Sequence, residues 1–159
     1  MRFAALVVAL LAAAAALAAP DIPRRKSGLW DISITAPGMP QMSFRECVDQ
    51  KSDDMAKPAK PGEDDDVFCS KVDWRREGAG WVMDSVCKVE GTTATTRSVF
   101  TGSFDSAFKA EHKSTYRPPL EGMREVTMMM NARWTGPCRP GQKPGEVDIP
   151  GMPAGPKRR

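Results

Sequence analysis

The only histidine of the chain, His112, is the first residue to weigh for catalysis, because a serine or cysteine nucleophile needs a general base. Ser114 and Asp105 lie near it in the sequence, but the Gly-x-Ser-x-Gly pattern that presents a nucleophilic serine does not occur. Glycine-rich phosphate loops and dinucleotide-binding motifs do not occur either. We therefore predict that the protein is not an enzyme, and that it has no catalytic residue and no cofactor.

Methionine is the residue type that could bind a metal, because thioethers are soft ligands that suit Cu(I). Met128 and Met130 would point one way from a strand and Met129 the other, so the run cannot converge on one ion. Methionine that fills a leucine-poor core is the simpler interpretation, and copper binding is kept as a third alternative. The acidic run 63–66 lacks the spacing of a calcium-binding loop, so we predict no metal site.

Four cysteines, Cys47, Cys69, Cys87 and Cys138, indicate an exported protein with two disulfides. The N-terminus agrees, because Arg2 precedes an uncharged apolar run that ends in the small residues of a signal-peptidase site at Ala18. That run is shorter than the roughly 20 residues that a membrane-spanning helix needs. We predict a periplasmic protein with no transmembrane span after cleavage.

Composition divides the chain into four predicted segments. These are a signal peptide over 1–18, a basic leader over 19–27, a β domain over 28–138 and a disordered, basic tail over 139–159 that is rich in proline and glycine. The 23 Lys and Arg residues nearly balance the 20 Asp and Glu residues, so the charge does not indicate a nucleic-acid partner.

Apolar and polar residues alternate with period two through the β domain, as Trp30, Ile32 and Ile34 do, and this predicts about seven strands. Leu29 and Leu120 are the only leucines after residue 18, which argues against a helical bundle. We predict an all-β fold: an antiparallel meander of about seven strands, curled into a half-barrel or small sandwich and stapled by two disulfides.

The alternation also predicts which cysteines pair. If Trp74 faces the core, Cys69 lies on the opposite face of its strand, whereas Cys87 shares the face of the inward residues of the next strand. Cys47 would face outward like Cys69. Parity therefore favours the bridges Cys47–Cys69 and Cys87–Cys138.

Large apolar side chains fall on one parity and suggest a binding face. The residues expected to face a ligand are Trp30, Trp74, Trp81, Met128, Met130 and Trp134. A single curved sheet cannot close around so many large side chains, so the first hypothesis is a non-catalytic module that binds an apolar small molecule or an envelope component. The alternative is a structural or stress-related envelope protein in which the same residues form a filled core. An open cavity would favour the first and a filled interior the second.

Three short motifs stand out in the β domain: the opening Gly28-Leu29-Trp30-Asp31, the turn Gly38-Met39-Pro40 and the closing run 132–138, Ala-Arg-Trp-Thr-Gly-Pro-Cys. They resemble the motifs of a secreted proteobacterial family of unknown function, DUF3617. The resemblance covers about residues 27–138, with Ser27 where proline is usual. It implies a periplasmic, β-rich protein, and it transfers no catalytic or binding residue because no activity is established for the family.

Overall fold

Eight β-strands form one antiparallel sheet in the computed structural model, which describes residues 22–53, 55 and 67–150. The strands are β1 (Gly28–Thr35), β2 (Met42–Val48), β3 (Val67–Glu77), β4 (Gly80–Val89), β5 (Thr92–Ser103), β6 (Ala107–Leu120), β7 (Met123–Gly136) and β8 (Val147–Asp148). The predicted all-β, antiparallel fold is confirmed. The predicted signal peptide and the acidic run 63–66 lie outside the described residues.

The strands from β3 to β7 form a meander, and β7 then pairs with β1 at the other end of the β domain. Two of the connections are two-residue turns, Glu90-Gly91 and Glu121-Gly122, in which both residues have positive φ. Such turns match the twist of the strands that they join, and glycine at the second position adopts this conformation without strain. The spatial order of the strands is β3-β4-β5-β6-β7-β1-β2-β8.

The sheet curls around one buried cluster, because Trp74 on the edge strand β3 and Val48 on β2 both belong to it. We call the face that carries the cluster the inner face and the opposite one the outer face. The members of the cluster are Trp30, Ile32, Val48, Trp74, Phe100, Phe104, Phe108, Ala110 and Ala132. Within the described sheet β3 and β8 are edges that do not pair with each other, so the half-barrel stays open.

Residues 22–27, the described part of the predicted basic leader, lie over one end of the inner face. Arg25 donates from its backbone N–H and its guanidinium to Asp53, and its guanidinium also bonds Glu46 at 2.7 Å. Burial lowers the pKa of Arg25, but the hydrogen bonds to Asp53 and Glu46 outweigh that effect and hold it above its usual value. Lys26 N–H donates to the carbonyl of Phe104 at 2.9 Å. Residues 22–27 are therefore an integral part of the β domain.

The prediction of two disulfides is confirmed, but the predicted pairing is wrong: the bridges are Cys47–Cys138 and Cys69–Cys87. In the β3–β4 ladder Cys69 lies opposite Cys87 and Lys71 opposite Val86, so Ser70 is an extra residue. Such a β-bulge reverses the parity of the strand beyond it, and it brings Cys69 to the same face as Cys87. Parity without a bulge led to the wrong face.

The Cys47–Cys138 bridge connects β2 with the residues that follow β7, and these two strands flank β1. Leu29 on β1 lies opposite Cys47 on one side and opposite Gly136 on the other. Cys138 follows Gly136 by two residues, so it reaches across the end of β1 to Cys47. The bridge therefore fastens the end of β7 to β2.

Residues 139–150, part of the predicted disordered tail, contain turns and a short strand, and residues 151–159 of that tail lie outside the described residues. Val147–Asp148 forms β8 beside β2, with Cys47 N–H donating to the carbonyl of Glu146 at 3.1 Å. Arg139 also pairs with Asp148 at 2.9 Å. Composition indicated disorder because the segment has few apolar residues, but the disulfide at Cys138 holds it beside a strand edge that offers backbone partners.

Candidate functional site

The six residues predicted to face a ligand all lie on the inner face, at different depths. Trp30 is fully buried and Trp74 is 7% exposed, and both belong to the cluster. Trp81, Met130 and Trp134 are half-buried and pack against the cluster, and Met128 is half-buried as well. Their role in ligand binding stays a prediction.

Aromatic side chains fill the end of the half-barrel near the leader. Phe104 and Phe108 stack with ring centroids 4.5 Å apart, and Trp30 lies 5.6 Å from Phe108. Phe100 connects this group to Trp74, whose ring centroid lies 5.0 Å away. These contacts form a packed core at that end of the inner face.

A polar layer crosses the inner face next to the aromatic end. Ser98 on β5 and His112 on β6 are directly opposite in the sheet, and Ser98 Oγ and His112 Nδ1 are 2.7 Å apart. One row further, Thr96 and Ser114 share a hydrogen bond of 2.8 Å. Burial lowers the pKa of His112, which therefore favours its neutral form.

His112 pairs with Ser98, which the sequence analysis did not consider, and not with Ser114 or Asp105. The signal was the register of the β5–β6 hairpin, which no local pattern specifies. Ser98 is fully buried, and His112 forms no hydrogen bond to a carboxylate among the described residues. The pair thus has the first two members of a serine triad without the third, and its serine is shielded from solvent.

Trp74 carries the one fully buried side-chain nitrogen or oxygen that lacks a hydrogen-bond partner in the described part of the chain. Its indole N–H is buried and has no hydrogen-bond acceptor. By contrast, the indole N–H of Trp30 donates to the carbonyl of Lys26 at 2.8 Å, and that of Trp134 donates to the carbonyl of Ser27 at 3.0 Å. An unsatisfied buried donor costs about 1–3 kcal/mol. The inner face therefore contains one buried donor without an acceptor among the described residues.

Metal ligands do not gather in the described residues, which contain no group of three or more His, Cys, Asp or Glu side chains that could hold an ion. In β7, Met128 lies opposite His112 and Met130 opposite Ala110, both on the inner face, whereas Met129 is 39% exposed on the outer face. The methionine run is thus divided between the two faces, as alternation predicts.

The outer face carries a cleft of about 560 Å³. Its lining residues are Asp31, Ser33, Thr101, Gly102, Ala107, Phe108, Lys109, Asn131, Ala132, Arg133 and Thr135. The sequence analysis left open whether the inner face has a cavity, and it did not predict this outer-face cleft. Its signals are small residues, Gly102 and Ala107, at facing ends of β5 and β6, beside outward-pointing polar side chains.

The opening and closing motifs meet in the sheet. Trp30 lies opposite Trp134 in the β1–β7 ladder, and Thr135 Oγ1 donates to the carbonyl of Leu29 at 3.0 Å. Gly28 has φ +138°, and a Cβ there would lie 2.2 Å from Trp134 Nε1. Only glycine fits that contact. These motif residues therefore join the first and last long strands of the domain.

The fold defines a class of protein: a small all-β domain of one curled sheet, stapled by two disulfides, with candidate binding surfaces on both faces. Residues 25–138 match the family described as a protein of unknown function (DUF3617), and the chain belongs to this family. The match confirms the resemblance of the three motifs. No curated protein and no solved structure matches the chain. No helix among the described residues is long and apolar enough to cross a membrane.

Proposed function

We propose that the protein is exported to the periplasm and is a non-catalytic binding module that holds an apolar molecule, or an apolar part of an envelope component, against its inner face. The apolar run before residue 18 supports export. The four cysteines are all paired, and disulfides persist in oxidising compartments. The complete burial of Ser98 supports a role without catalysis for the Ser98–His112 pair.

The observation that carries this proposal is the unpartnered indole N–H of Trp74. Trp74 lies beside Phe100 and among apolar side chains. A water molecule at this place would find few hydrogen-bond partners besides the indole N–H. An apolar ligand with one acceptor, such as a carbonyl or carboxyl oxygen, would satisfy this donor and bury apolar surface at the same time.

The half-buried side chains around the cluster give such a ligand a surface to contact. Phe44, Trp81, Met83 and Met130 pack against the cluster and retain exposed area. Apolar area removed from water contributes about 25 cal/mol per Å². Methionine adapts its unbranched thioether to ligands of different shape, which suits a surface of this kind.

The test uses the oxidised full-length protein after removal of bound lipid. It measures the binding of a neutral naphthylamine fluorophore to this protein and the displacement of the fluorophore by dodecanoic acid. We expect uptake by the natural protein and several-fold weaker competition by dodecanoic acid in Trp74→Phe, which keeps the ring and removes the donor. Met130→Asp on the inner face is expected to abolish uptake. Met129→Asp, one residue away on the outer face, is the matched control and should leave uptake unchanged.

Failure of the natural protein to take up any apolar probe would reject the binding proposal. Loss of folding in Met130→Asp alone would show that Met130 belongs to the core, and Trp74→Phe then remains as the deciding variant. A native mass spectrum of the protein from its own periplasm adds an independent readout, because a retained ligand appears as added mass.

A structural role in the envelope is the second candidate, and a specific observation favours it. The rings of Trp30, Trp74, Phe100, Phe104 and Phe108 already contact one another, with neighbouring centroids 4.5 to 6.4 Å apart. A face that its own side chains fill needs no ligand. The uptake experiment separates the two candidates, because a filled core takes up no probe.

A further inference from the structure

Two cations, Lys109 and Arg133, lie in the outer-face cleft. Lys109 and Arg133 line the cleft, and neither forms an ion pair with a carboxylate among the described residues. Elsewhere on the same face Arg97 pairs with Glu77 at 2.9 Å and Lys113 with Glu111 at 2.8 Å. Among the described lining residues, two cations therefore stand against one carboxylate, Asp31, and the cleft keeps an excess of positive charge.

The register brings these two cations together over a hollow. Lys109 lies opposite Asn131, and Ala107 lies opposite Arg133, so Lys109 and Arg133 are diagonal neighbours across β6 and β7. Diagonal neighbours in an antiparallel pair are about 7–8 Å apart, a distance that an anion between two long side chains can span. The short side chain of Ala107 leaves the space between them open.

The glycine beside Ala107 deepens the hollow. Gly102 lines the cleft with φ +106°, and a Cβ there would lie 2.6 Å from the carbonyl oxygen of Ala107. Any other residue would push the β5 and β6 backbones apart. The floor of the cleft thus depends on a residue without a side chain at this position.

The remaining walls offer neutral hydrogen-bonding groups. One row across β5, β6, β7 and β1 consists of Thr101, Lys109, Asn131 and Ser33, and all four line the cleft. Three of them, all except Lys109, are neutral. The one carboxylate of the lining, Asp31, lies directly opposite Arg133 in the β1–β7 ladder and 3.8 Å from Arg45, so two cations share its charge. Hydroxyl and amide groups beside two cations suit a ligand that has both hydroxyls and a strong anion.

We propose that this cleft binds a phosphorylated saccharide, with the phosphate between Lys109 and Arg133 and the sugar hydroxyls against Thr101, Asn131 and Ser33. The cleft volume of about 560 Å³ lies within the range of about 300–1,000 Å³ that is typical of small-molecule sites. A phosphate dianion makes charge-assisted hydrogen bonds with both cations, whereas a neutral sugar would leave them unsatisfied. The saccharide is either free or the head group of an envelope lipid. This site is separate from the inner face and does not depend on the function proposed above.

In the experiment, the oxidised full-length protein is titrated with glucose 1-phosphate, with glucose and with inorganic phosphate, and calorimetry measures binding. Co-sedimentation with phosphatidylethanolamine vesicles, with and without lipid A, tests whether the protein binds the saccharide as a lipid head group. We expect glucose 1-phosphate or the lipid A vesicles to bind, and glucose and plain vesicles not to bind. Lys109→Gln and Arg133→Gln should each weaken binding about tenfold, the size expected for one charge-assisted hydrogen bond.

Two further variants separate a built site from general positive charge. Ala107→Leu adds an exposed side chain that fills the hollow without changing any charge, and it should abolish binding. Lys113→Gln removes a cation from the same face of the same strand outside the cleft, and it should leave binding unchanged. Binding of glucose 1-phosphate alone assigns a free ligand, and binding of lipid A vesicles alone assigns a lipid head group. The proposal is overturned if neither binds, if Ala107→Leu binds normally, or if Lys113→Gln weakens binding as much as Lys109→Gln.

Discussion

Arg25 holds together two carboxylates that would otherwise be buried side by side. Its side chain is 14% exposed, that of Asp53 is 6% exposed and that of Glu46 is 23% exposed. The substitution Arg25→Met keeps the length and the apolar stem of the side chain and removes the charge and every guanidinium hydrogen bond. We predict that it strongly destabilises the domain.

The magnitude follows from the burial of the three partners. Removal of one member of a buried ion pair costs about 3–5 kcal/mol, because the remaining charge stays in a poorly solvated place. Glu46 is near enough to solvent to regain some hydration, so we expect the lower end, about 3 kcal/mol. For a domain of this size, that corresponds to a decrease in melting temperature of about 10 °C.

Urea denaturation, monitored by tryptophan fluorescence, measures the decrease in the free energy of unfolding, and Arg24→Met is the matched control. Arg24 is the preceding residue, is exposed, and its guanidinium donates hydrogen bonds to the backbone carbonyls of Gln50 and Lys51. We expect its loss to change the free energy of unfolding by no more than about 0.5 kcal/mol. The free energy of unfolding of Arg25→Lys should lie between those of Arg25→Met and Arg24→Met, because an ammonium group keeps the charge but not the parallel hydrogen bonds of the guanidinium.

The reasoning would be refuted if Arg25→Met and Arg24→Met had the same free energy of unfolding. A second readout follows the leader itself. If Arg25 fastens residues 22–27 to the sheet, a protease should cut this segment faster in Arg25→Met than in Arg24→Met under native conditions. Equal cleavage rates would mean that the backbone contact of Lys26 with Phe104 is enough to hold the leader.

Two further predictions concern the disulfides and the histidine. The Cys47–Cys138 bridge spans 91 residues and the Cys69–Cys87 bridge spans 18, so the chain-entropy term (3/2)RT ln(91/18) makes removal of the longer one worse by about 1.4 kcal/mol. Urea midpoints of the two double Cys→Ala variants measure this, and a larger loss for the shorter bridge would contradict it. Because burial lowers the pKa of His112 below its unfolded value of 6.5, the unfolded state binds the proton first as the pH falls. Stability should therefore be complete above pH 6.5 and decrease below it, and His112→Gln should remove that part of the pH dependence. An unchanged slope in the variant would assign it to carboxylates.

The alternation of side chains determined the secondary structure, and the fold followed from it. Trp30, Ile32 and Ile34 share the inner face because successive residues of a strand point to opposite sides. Turns such as Glu90-Gly91 set the hairpins, because glycine takes the left-handed conformation there at no cost. The division of the methionine run between the two faces follows from the same rule. Such local properties are legible in one sequence.

The cysteine pairing depended on a register that the sequence does not encode locally. One extra residue, Ser70, reverses the face of Cys69, and nothing in the residue types around it distinguishes a bulged strand from a regular one. The order of residues 139–150 depended likewise on β2, a strand about 100 positions earlier that supplies the backbone partners. Composition cannot report a partner so distant in the chain.

The candidate sites were decided by tertiary structure alone. The Ser98–His112 pair, the unpartnered indole of Trp74 and the placing of Lys109 beside Arg133 each join residues from different strands. A site of this kind needs the register of two or more ladders, and each register is set by the bulges and turns of the whole sheet. The sequence by itself determined a disulfide-stapled β domain with an apolar face, because those properties depend on residue type and spacing. Which groups meet, and which remain without a partner, is settled only when the sheet curls and brings distant strands together.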